Sequence, residues 1–402
     1  MYKPLPLEVI ALNQPVPVNV WDTKGMLLLR KGEPITSEQH RGHLMLHGPM
    51  VRESDWQAWS YSYTAELDRR VRSNESLSRI AGVTHMVSVR AAAANEDAAG
   101  PAQAWPDLHA GLCSLLYQGA DAGDQFLDRL SRLMQRSQAL WRSHPDESLL
   151  VLVQLLFDTR VGYSASHALL SAGLCSLVAP SAGLASEVQQ SLFGAALCMN
   201  IGMTRAHDAM ARQAGDLSAA QRQTVAEHPL AGAALLRELG VQDPLWLQLV
   251  EEHHERSDGS GYPQGKPVSL PAQRLLQMAD SYVACLSPRQ GRGGLVAQQA
   301  ARELYLGPNQ QPDPLGALFV KHVGLYPPGS FVRLASGEMG VVARRGSKAN
   351  APLVFALVGR HGLPLGEPAL RDTQDAAHEV RAGLPPGEVK VVVNVRRLLD
   401  RL

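Results

Sequence analysis

Apolar residues recur three and four positions apart through the middle of the chain, where strand-like alternation is scarce. The clearest series are Phe126, Leu130, Leu133 and Leu140, and then Leu149, Leu152, Val153 and Leu156. Residues at this spacing share one helix face, so the pattern predicts amphipathic helices. Prolines punctuate the segment at Pro145, Pro180, Pro229, Pro244 and Pro271. We therefore predict an all-α central domain over residues 105–323.

Both ends of the chain carry apolar runs of strand length instead. Near the N-terminus these are residues 16–20 and 26–30, and Thr36 or Ser37 is placed to cap a short helix through Leu46. Near the C-terminus the four candidate strands are residues 331–334, 340–343, 354–358 and 389–395. The fold class predicted is mainly α, with a small β-rich accessory domain (1–67), an Ala/Ser-rich linker (68–104) and a small β-rich C-terminal appendage (324–402).

Composition narrows the class of protein further. The 402 residues carry 38 basic and 38 acidic side chains, so net charge gives no case for a nucleic-acid polymer or an anionic membrane as partner. The four cysteines lack a Cys-x-x-Cys spacing, which favours a reducing compartment and argues against a cysteine zinc site. The least charged long run, residues 168–185, is interrupted by glycine and proline. We expect a cytoplasmic protein with no membrane span.

One stretch, residues 250–265, carries the strongest chemical signal. Two adjacent histidines, His253 and His254, end an apolar helical pattern, and a loop with three glycines follows at once. Neutral imidazole is a common transition-metal ligand, and at a frayed last turn both rings can reach one ion. The string from His253 to Gly265, His-His-Glu-x-x-Asp-Gly-x-Gly-Tyr-Pro-x-Gly, resembles the signature of the HD-GYP family, whose studied members hydrolyse cyclic di-GMP at a metal centre.

The resemblance extends over the helical segment and implies a set of site residues. The implied metal ligands are His167, His228, His253, His254 and Asp280. The resemblance also implies that Glu255 orients a ligand histidine and that the bound nucleotide contacts the loop and an Arg-x-x-Arg element. The residues implied in nucleotide binding are Gly261, Tyr262, Pro263, Arg289 and Arg292. Guanidinium groups suit phosphate because they form forked hydrogen bonds.

The family's His-Asp-Ile-Gly-Lys dyad segment is altered here. The chain reads Met199-Asn200-Ile201-Gly202-Met203, which keeps the Ile-Gly register and replaces all three chemical positions. Methionine is a poor substitute for imidazole at Fe, Mn or Zn, and asparagine offers a carbonyl oxygen without the charge that bridges two dications. The sequence therefore permits one divalent metal ion, Fe, Mn or Zn, and disfavours a two-metal centre.

Further departures flank this segment. Tyr163 stands where three-metal members of the family carry Glu, and Val283 replaces a second Asp after the closing ligand. A downstream pair, His207-Asp208, would need an eight-residue shift to act as the dyad, so we interpret it as exposed polar residues near a turn.

Three functional hypotheses follow. The first is an HD-GYP-type cyclic di-GMP signalling protein that is catalytically impaired and acts by binding nucleotide, signalling proteins or both. The second is an active metal-dependent cyclic di-GMP phosphodiesterase. The third is a partner-recognition module with a relic site. The lost dyad favours the first over the second, and the retained histidines with the Gly-Tyr-Pro loop argue against the third. Oligomeric state is left open.

Overall fold

The computed structural model describes residues 2–5, 12–13, 15–23, 27–29, 31–46, 48–73, 75, 100–158, 162–288, 294–306 and 311–402. The chain forms two compact units, Met1–Gly123 and Asp124–Leu402. The segment predicted to be a linker includes the end of one helix and the start of another, and most of it lies outside the described residues. Among the described residues, no helix is long and apolar enough to cross a membrane.

The described residues of the N-terminal unit form a small antiparallel sheet and three α-helices. Its elements are β1 (Tyr2–Pro4), β2 (Val20–Trp21), β3 (Leu27–Leu29), α1 (Glu38–Leu46), β4 (Met50–Arg52), α2 (Glu53–Arg72) and α3 (Pro101–Gln118). The strand order is β1-β4-β2-β3. Val16, Val18 and Val20 are buried in the core, but Pro17 is buried as well, and of the predicted strand 16–20 only Val20 lies in a strand. Ser37 caps α1, because its Oγ accepts from the amide of His40 at 3.0 Å.

Helices make up the first two thirds of the C-terminal unit. They are α4 (Gln125–Ser143), α5 (Pro145–Phe157), α6 (Tyr163–Val178), α7 (Ser186–Cys198), α8 (Thr204–Ala211), α9 (Ala219–Glu238), α10 (Pro244–Glu252), α11 (Pro271–Leu286), α12 (Ala297–Leu306) and α13 (Pro314–Val323). A short 3₁₀ turn, Ile201–Met203, precedes α8. The described residues between 149 and 280 contain no strand, so the helical prediction for the centre of the chain is confirmed.

Local sequence explains where these helices begin. Pro145, Pro244 and Pro271 each occupy the first turn of a helix, where a missing N–H is no loss. Asp243 caps α10 by accepting from the amides of Leu245 and Trp246. Pro229 differs, because it lies inside α9 rather than at a helix boundary.

A second sheet closes the chain. It comprises β5 (Phe331–Leu334), β6 (Met339–Arg344), β7 (Leu353–Val358), β8 (Pro364–Asp372) and β9 (Val380–Leu384), in the order β8-β7-β6-β5-β9 with antiparallel neighbours. Its core includes Leu150 of α5 together with Phe331 and Val341. A Cβ on Gly329 would lie 2.7 Å from the Cβ of Val153, so the turn before β5 needs glycine there.

The sheet corrects one strand prediction. Residues 389–395 form no strand. They run as irregular chain into α14 (Val395–Leu399), and all of their valines except the exposed Val392 pack on the sheet's core. Strands β8 and β9, which pair with β7 and β5 respectively, were not among the predicted strands. The predictions for β5, β6 and β7 are confirmed.

Candidate metal centre and ligand cavity

Three histidines from two helices converge on one point. His228 lies in α9, while His253 and His254 follow the last residue of α10. The ring centroids of His253 and His254 are 4.1 Å apart, and each lies 5.1 Å from the ring of His228. One nitrogen from each ring falls within 4.8 Å of the others, and this is the one such group of metal-ligating side chains among the described residues. The fraying of the last turn of α10 lets two consecutive histidines face one site.

Two of these rings are held by backbone carbonyls. Nδ1 of His228 donates to the carbonyl of Val225, and Nδ1 of His253 donates to the carbonyl of Val250, both at 2.7 Å. In a neutral ring this leaves Nε2 as a lone-pair acceptor. The two Nε2 atoms then face each other at 3.1 Å. Two lone pairs at this distance repel each other unless a proton or a metal ion lies between them. Nitrogens bound to a tetrahedral zinc at about 2.0–2.1 Å are themselves about 3.3 Å apart. The donor set fits a divalent metal ion.

A proline leaves one of those two carbonyls without its usual hydrogen bond in the helix. In an α-helix the N–H of residue 229 would bond to the carbonyl of residue 225. Pro229 has no N–H, so the carbonyl of Val225 is left for the His228 side chain. Val250 likewise lies in the last turn of α10, whose carbonyls lack helical partners. Both ligand rings are therefore oriented by carbonyls that have no N–H partner within their own helix.

Burial keeps these rings in the neutral form that binds metals. Desolvation, followed by the proximity of His254, lowers the pKa of His228 to about 4. Desolvation also lowers the pKa of His253 well below its usual value, with His254 and His228 adding to the effect. The pKa of His254 is lowered by burial too, although nearby Asp280 opposes that shift. Neutral imidazole is the metal-ligating form.

Helix α11 braces the turn that carries His253 and His254. The side-chain amide of Gln273 donates to the carbonyl of Glu252 at 3.0 Å, and that of Gln277 donates to the carbonyl of Glu255 at 2.9 Å. These contacts satisfy carbonyls on both sides of the histidine pair. The pair is thus fixed from a neighbouring helix.

Glu255 organises the loop that follows. Its fully buried carboxylate accepts from the amides of Gln264 at 2.6 Å and Lys266 at 3.0 Å. Its predicted role in orienting a ligand histidine stays a prediction, and the contacts of its carboxylate described here are with the loop. Its side chain has two acceptor oxygens, and both bind loop N–H groups.

The predicted nucleotide-binding loop residues lie beside the histidines. The ring of Tyr262 stacks on His254 with centroids 4.5 Å apart. Pro263 follows in the same loop, after a cis peptide bond. A Cβ on Gly261 would lie 2.5 Å from Arg256 N, Glu255 Cα and His254 O, so only glycine lets the loop pass this close. Asp258 closes the turn by accepting from the amide of Ser260 at 2.9 Å.

The retained Ile-Gly of the altered dyad segment has a packing reason. A Cβ on Gly202 would meet the carbonyl of His228 at 2.5 Å and the amide of Gly232 at 2.7 Å. The 3₁₀ turn therefore lies directly on the backbone of α9. This contact requires glycine at position 202, whereas a Cβ on Gly232 would make only ordinary contacts of 3.4 Å or more. Asn200, just before the turn, lines the same cavity as His254.

His167 and Asp280, the two remaining predicted ligands, bind each other. Nε2 of His167 donates to Oδ1 of Asp280 at 2.8 Å, and the hydroxyl of Tyr163 donates to its Nδ1 at 3.1 Å. Oδ2 of Asp280 lies 3.8 Å from Nδ1 of His254. Burial raises the pKa of Asp280, but the His167 hydrogen bond and the neighbouring imidazoles outweigh it, so the pKa lies well below its usual range. Both nitrogens of His167 are engaged within the protein.

A cavity of about 150 Å³ lies against this arrangement. Its polar lining comes from Tyr163, His167, Asn200, His207, His254, Tyr262 and Asp280. Met203, at the position of the family's lysine, lines the cavity as well. Met199, at the dyad histidine position, is fully buried and is absent from the lining. Val283, which replaces the family's second Asp, is fully buried.

The pair His207-Asp208 is buried, so its assignment as exposed was wrong. Asp208 is 0% exposed, and its Oδ1 accepts from the amide of Ser164 at 2.7 Å, in the first turn of α6. Its charge thereby caps the positive end of that helix. His207 is 8% exposed and lines the cavity, with its ring 4.7 Å from that of Tyr163 and 5.5 Å from that of His167. One sequence signal was available: His207 lies four residues after Met203 and three before Met210, on one helix face.

Arg289 and Arg292, the predicted phosphate contacts, lie outside the described residues.

A family model described as an HD domain matches residues 151–314. A cyclic di-GMP phosphodiesterase of Pseudomonas aeruginosa is 32% identical over 215 residues, which are 53% of this chain and 51% of that protein. A 3'3'-cGAMP-specific phosphodiesterase of Vibrio cholerae is 28% identical over 151 residues, 37% of this chain and 35% of that protein. The chain spans about half or less of the length of these relatives.

A solved structure of an HDG"Y"P protein from Bdellovibrio bacteriovorus aligns with a TM-score of 0.44 at 14% identity, covering 80% of this chain and 98% of that chain.

The helical region that carries the histidine cluster is similar to the HD domain, a family that depends on metal ions. Within this region the motif of the chain resembles that of the HD-GYP family. It carries the family's paired histidines and Gly-Tyr-Pro loop, with Met199 and Asn200 at the positions of the His-Asp dyad.

Proposed function

We propose that this protein binds a cyclic dinucleotide of the cyclic di-GMP type at a centre with one divalent metal ion, and that it hydrolyses the nucleotide poorly or not at all. The observation that carries the proposal is the pair of Nε2 atoms of His228 and His253, which face each other at 3.1 Å with both Nδ1 atoms committed to carbonyls. His254 completes three nitrogen ligands, a set typical of Fe, Mn or Zn sites that keep an open position.

The same geometry argues against a second metal ion. The dyad positions hold Met199 and Asn200, which offer no imidazole and no negative charge. His167 and Asp280 satisfy each other at 2.8 Å, so a second ion would first have to break that bond. Two-metal hydrolysis clamps the attacking and the leaving oxygen at once. A single ion supports binding and orientation of a phosphodiester better than it supports that chemistry.

The chemistry of the bound metal would be that of a Lewis acid toward a phosphodiester oxygen. The residues that would hold it are His228, His253 and His254. Around it, Tyr262 offers an aromatic face and Asp280 a carboxylate. The family's lysine, which would add a positive charge here, is replaced by Met203 on the cavity wall. Charge neutralisation of the phosphate in the transition state is therefore weaker than with the family's residues.

The nucleotide class comes from the relatives. The Pseudomonas aeruginosa protein is a cyclic di-GMP phosphodiesterase, and the Vibrio cholerae protein is specific for 3'3'-cGAMP. Both ligands are cyclic dinucleotides, so we propose that class for this chain. Signalling proteins are a further class of proposed partner, through which a binding protein without turnover would act.

The test combines metal analysis, binding and hydrolysis on the full chain. We expect about one equivalent of metal, measurable cyclic di-GMP binding and little turnover, with metal lost in His253→Ala. The triple variant Met199→His, Asn200→Asp, Met203→Lys should raise metal content toward two and restore some hydrolysis. Because Met199 is fully buried, Asn200→Asp alone serves as an isosteric second variant. Wild-type turnover that survives Asn200→Ala would instead establish an active phosphodiesterase, and the absence of both metal and nucleotide would favour a relic site.

A further inference from the structure

A second cavity lies at the junction of helix α13 and the C-terminal sheet. It measures about 330 Å³, which falls within the roughly 300–1,000 Å³ typical of small-molecule sites. Its walls come from the segment 305–326 and from the β6–β7 turn, residues 345–352. Among the described residues, none lines both this cavity and the one beside the histidines. The protein therefore offers a second place for a ligand, separate from the metal centre.

The charged residues that line this second cavity are all basic. Lys321 lies in the last turn of α13, and Arg345 and Lys348 lie in the β6–β7 turn. Arg345 is held in place, because its guanidinium donates to Asp146 and to the carbonyl of His322. Neither lysine forms an ion pair with the part of the chain that the structure describes. The positive charge of the two lysines is therefore left without a carboxylate in contact.

The negative end of the α13 dipole explains only part of this charge. Lys321 lies in the last turn and Arg345 donates to a carbonyl of that turn, where cations are stabilised. Within the described chain, Lys348 forms no hydrogen bond to those carbonyls. The pKa of His322 is lowered, first by burial and then by the charges of Lys321 and Arg345. Positive charge therefore outweighs negative charge around the end of α13.

The β6–β7 turn adds backbone donors to the same wall. The amides of Ser347, Lys348 and Ala349 have no hydrogen-bond acceptor among the described residues. Successive free N–H groups in a turn can form a concave site for an anion. Gly346 makes this turn possible, because a Cβ there would overlap the carbonyl oxygen of Ala351. The turn thus combines neutral N–H donors with a lysine.

Two features of the lining identify the chemistry of the ligand. A lysine ammonium sits on a flexible four-carbon stem, so Lys321 and Lys348 can both turn toward one anion. A phosphate monoester carries about −1.5 to −2 charge at pH 7 and three strong acceptor oxygens, which suits two ammonium groups and several N–H groups. Tyr305 and Tyr326, together with Val320, offer aromatic and apolar surface to the organic part of the molecule.

We propose that this cavity binds a small phosphate monoester, with Lys321 and Lys348 as its charged contacts and the amides of residues 347–349 as further donors. Arg345 is a positioning residue that joins the β6–β7 turn to α13, since Asp146 and the carbonyl of His322 already engage it. The site needs no metal ion and does not depend on the function proposed above. A small molecule is favoured over a macromolecule because the basic residues line a cavity of about 330 Å³.

The test measures binding of AMP, pyrophosphate and adenosine to the full-length, metal-loaded chain by titration calorimetry. Lys321→Gln and Lys348→Gln each remove one charge and retain a long polar side chain. Lys390→Gln is the matched control, because Lys390 is exposed in the same unit and does not line the cavity. His253→Ala, which lacks one proposed metal ligand, separates this site from phosphate bound at the metal centre. Unfolding midpoints are recorded for every variant.

We expect wild type to bind AMP and pyrophosphate, and to bind adenosine weaker than AMP by about 10-fold or more, because adenosine lacks the phosphate. Each lysine variant should weaken AMP binding about 3- to 10-fold, as for loss of one contact at a partly exposed site, and the double variant should weaken it further. The control and His253→Ala should stay within about 2-fold of wild type. Added salt should weaken AMP binding, since the contacts are charged.

Any of three results would overturn the phosphate site. They are no binding of AMP or pyrophosphate to wild type, wild-type affinity in the double lysine variant, and loss of AMP binding in His253→Ala as large as in the lysine variants. The last result would place the bound phosphate at the metal centre.

Discussion

Replacing Pro229 should move stability and metal affinity in opposite directions. Proline inside a helix costs about 3 kcal/mol relative to alanine, so Pro229→Ala should stabilise the metal-free protein by up to about that amount. The new N–H would compete for the carbonyl of Val225, which now accepts from His228 Nδ1 at 2.7 Å. Loss of such an orienting contact lowers metal affinity by about 10- to 100-fold. We expect a fall near the lower end, because a carbonyl has two lone pairs.

The assay pairs chemical unfolding of the metal-free protein with a zinc titration. Pro145→Ala is the control, because Pro145 begins α5, where its missing N–H frees no carbonyl within the helix. The control should leave zinc affinity unchanged. Zinc affinity in Pro229→Ala equal to wild type would refute the idea that proline frees a carbonyl for the ligand. A stabilised variant with weakened zinc binding would support it.

Three further predictions test other parts of the site. A chelator should lower the calorimetric unfolding midpoint of wild type but not of His253→Ala. The reason is that metal at a hundred times its Kd adds about 2.7 kcal/mol to the free energy of unfolding. Equal shifts in the two proteins would contradict the ligand assignment. Gly202→Ala should destabilise the protein by about 1–3 kcal/mol in urea unfolding, because the new Cβ would meet the α9 backbone. The control Gly366→Ala, whose Cβ would lie in open space, should leave stability unchanged. Equal urea midpoints for the two variants would refute the tight contact between the 3₁₀ turn and α9. Glu255→Gln should speed amide hydrogen exchange at Gln264, where a carboxylate oxygen now accepts, and unchanged exchange would rule that contact out as the restraint.

The helical domain was predictable because its signals are local. Periodicity and the prolines that begin helices, such as Pro244 and Pro271, act within a few residues of where they stand. Strand β8 escaped notice for a related reason. It contains Pro364 and Pro368, which argue against a strand, but it lies at the sheet edge, where proline is tolerated. Residues 389–395 have strand composition and no partner, and pairing is not encoded locally.

At the site, the motif supplied residue identities and tertiary contacts supplied their roles. The convergence of His228 with His253 was implied by family resemblance, since no spacing argument joins positions 25 residues apart. The mutual hydrogen bond of His167 and Asp280 could not be predicted, because metal ligands and ion partners look the same in sequence. His207 was misassigned because polarity was weighed above its position on a methionine-bearing face. Burial of a polar pair depends on partners elsewhere, here Ser164.

Helix α11 fixes the orientation of three side chains that contact the metal centre and the turn beside it. Gln273, Gln277 and Asp280 lie on one face of it, and they bind the carbonyls of Glu252 and Glu255 and the ring of His167, respectively. Inserting one residue between Gln277 and Asp280 would turn the carboxylate by about 100° while leaving both glutamines in place. The span from Gln273 to Asp280 therefore acts as a ruler of fixed length, in which substitutions off this face are tolerable and insertions or deletions are not.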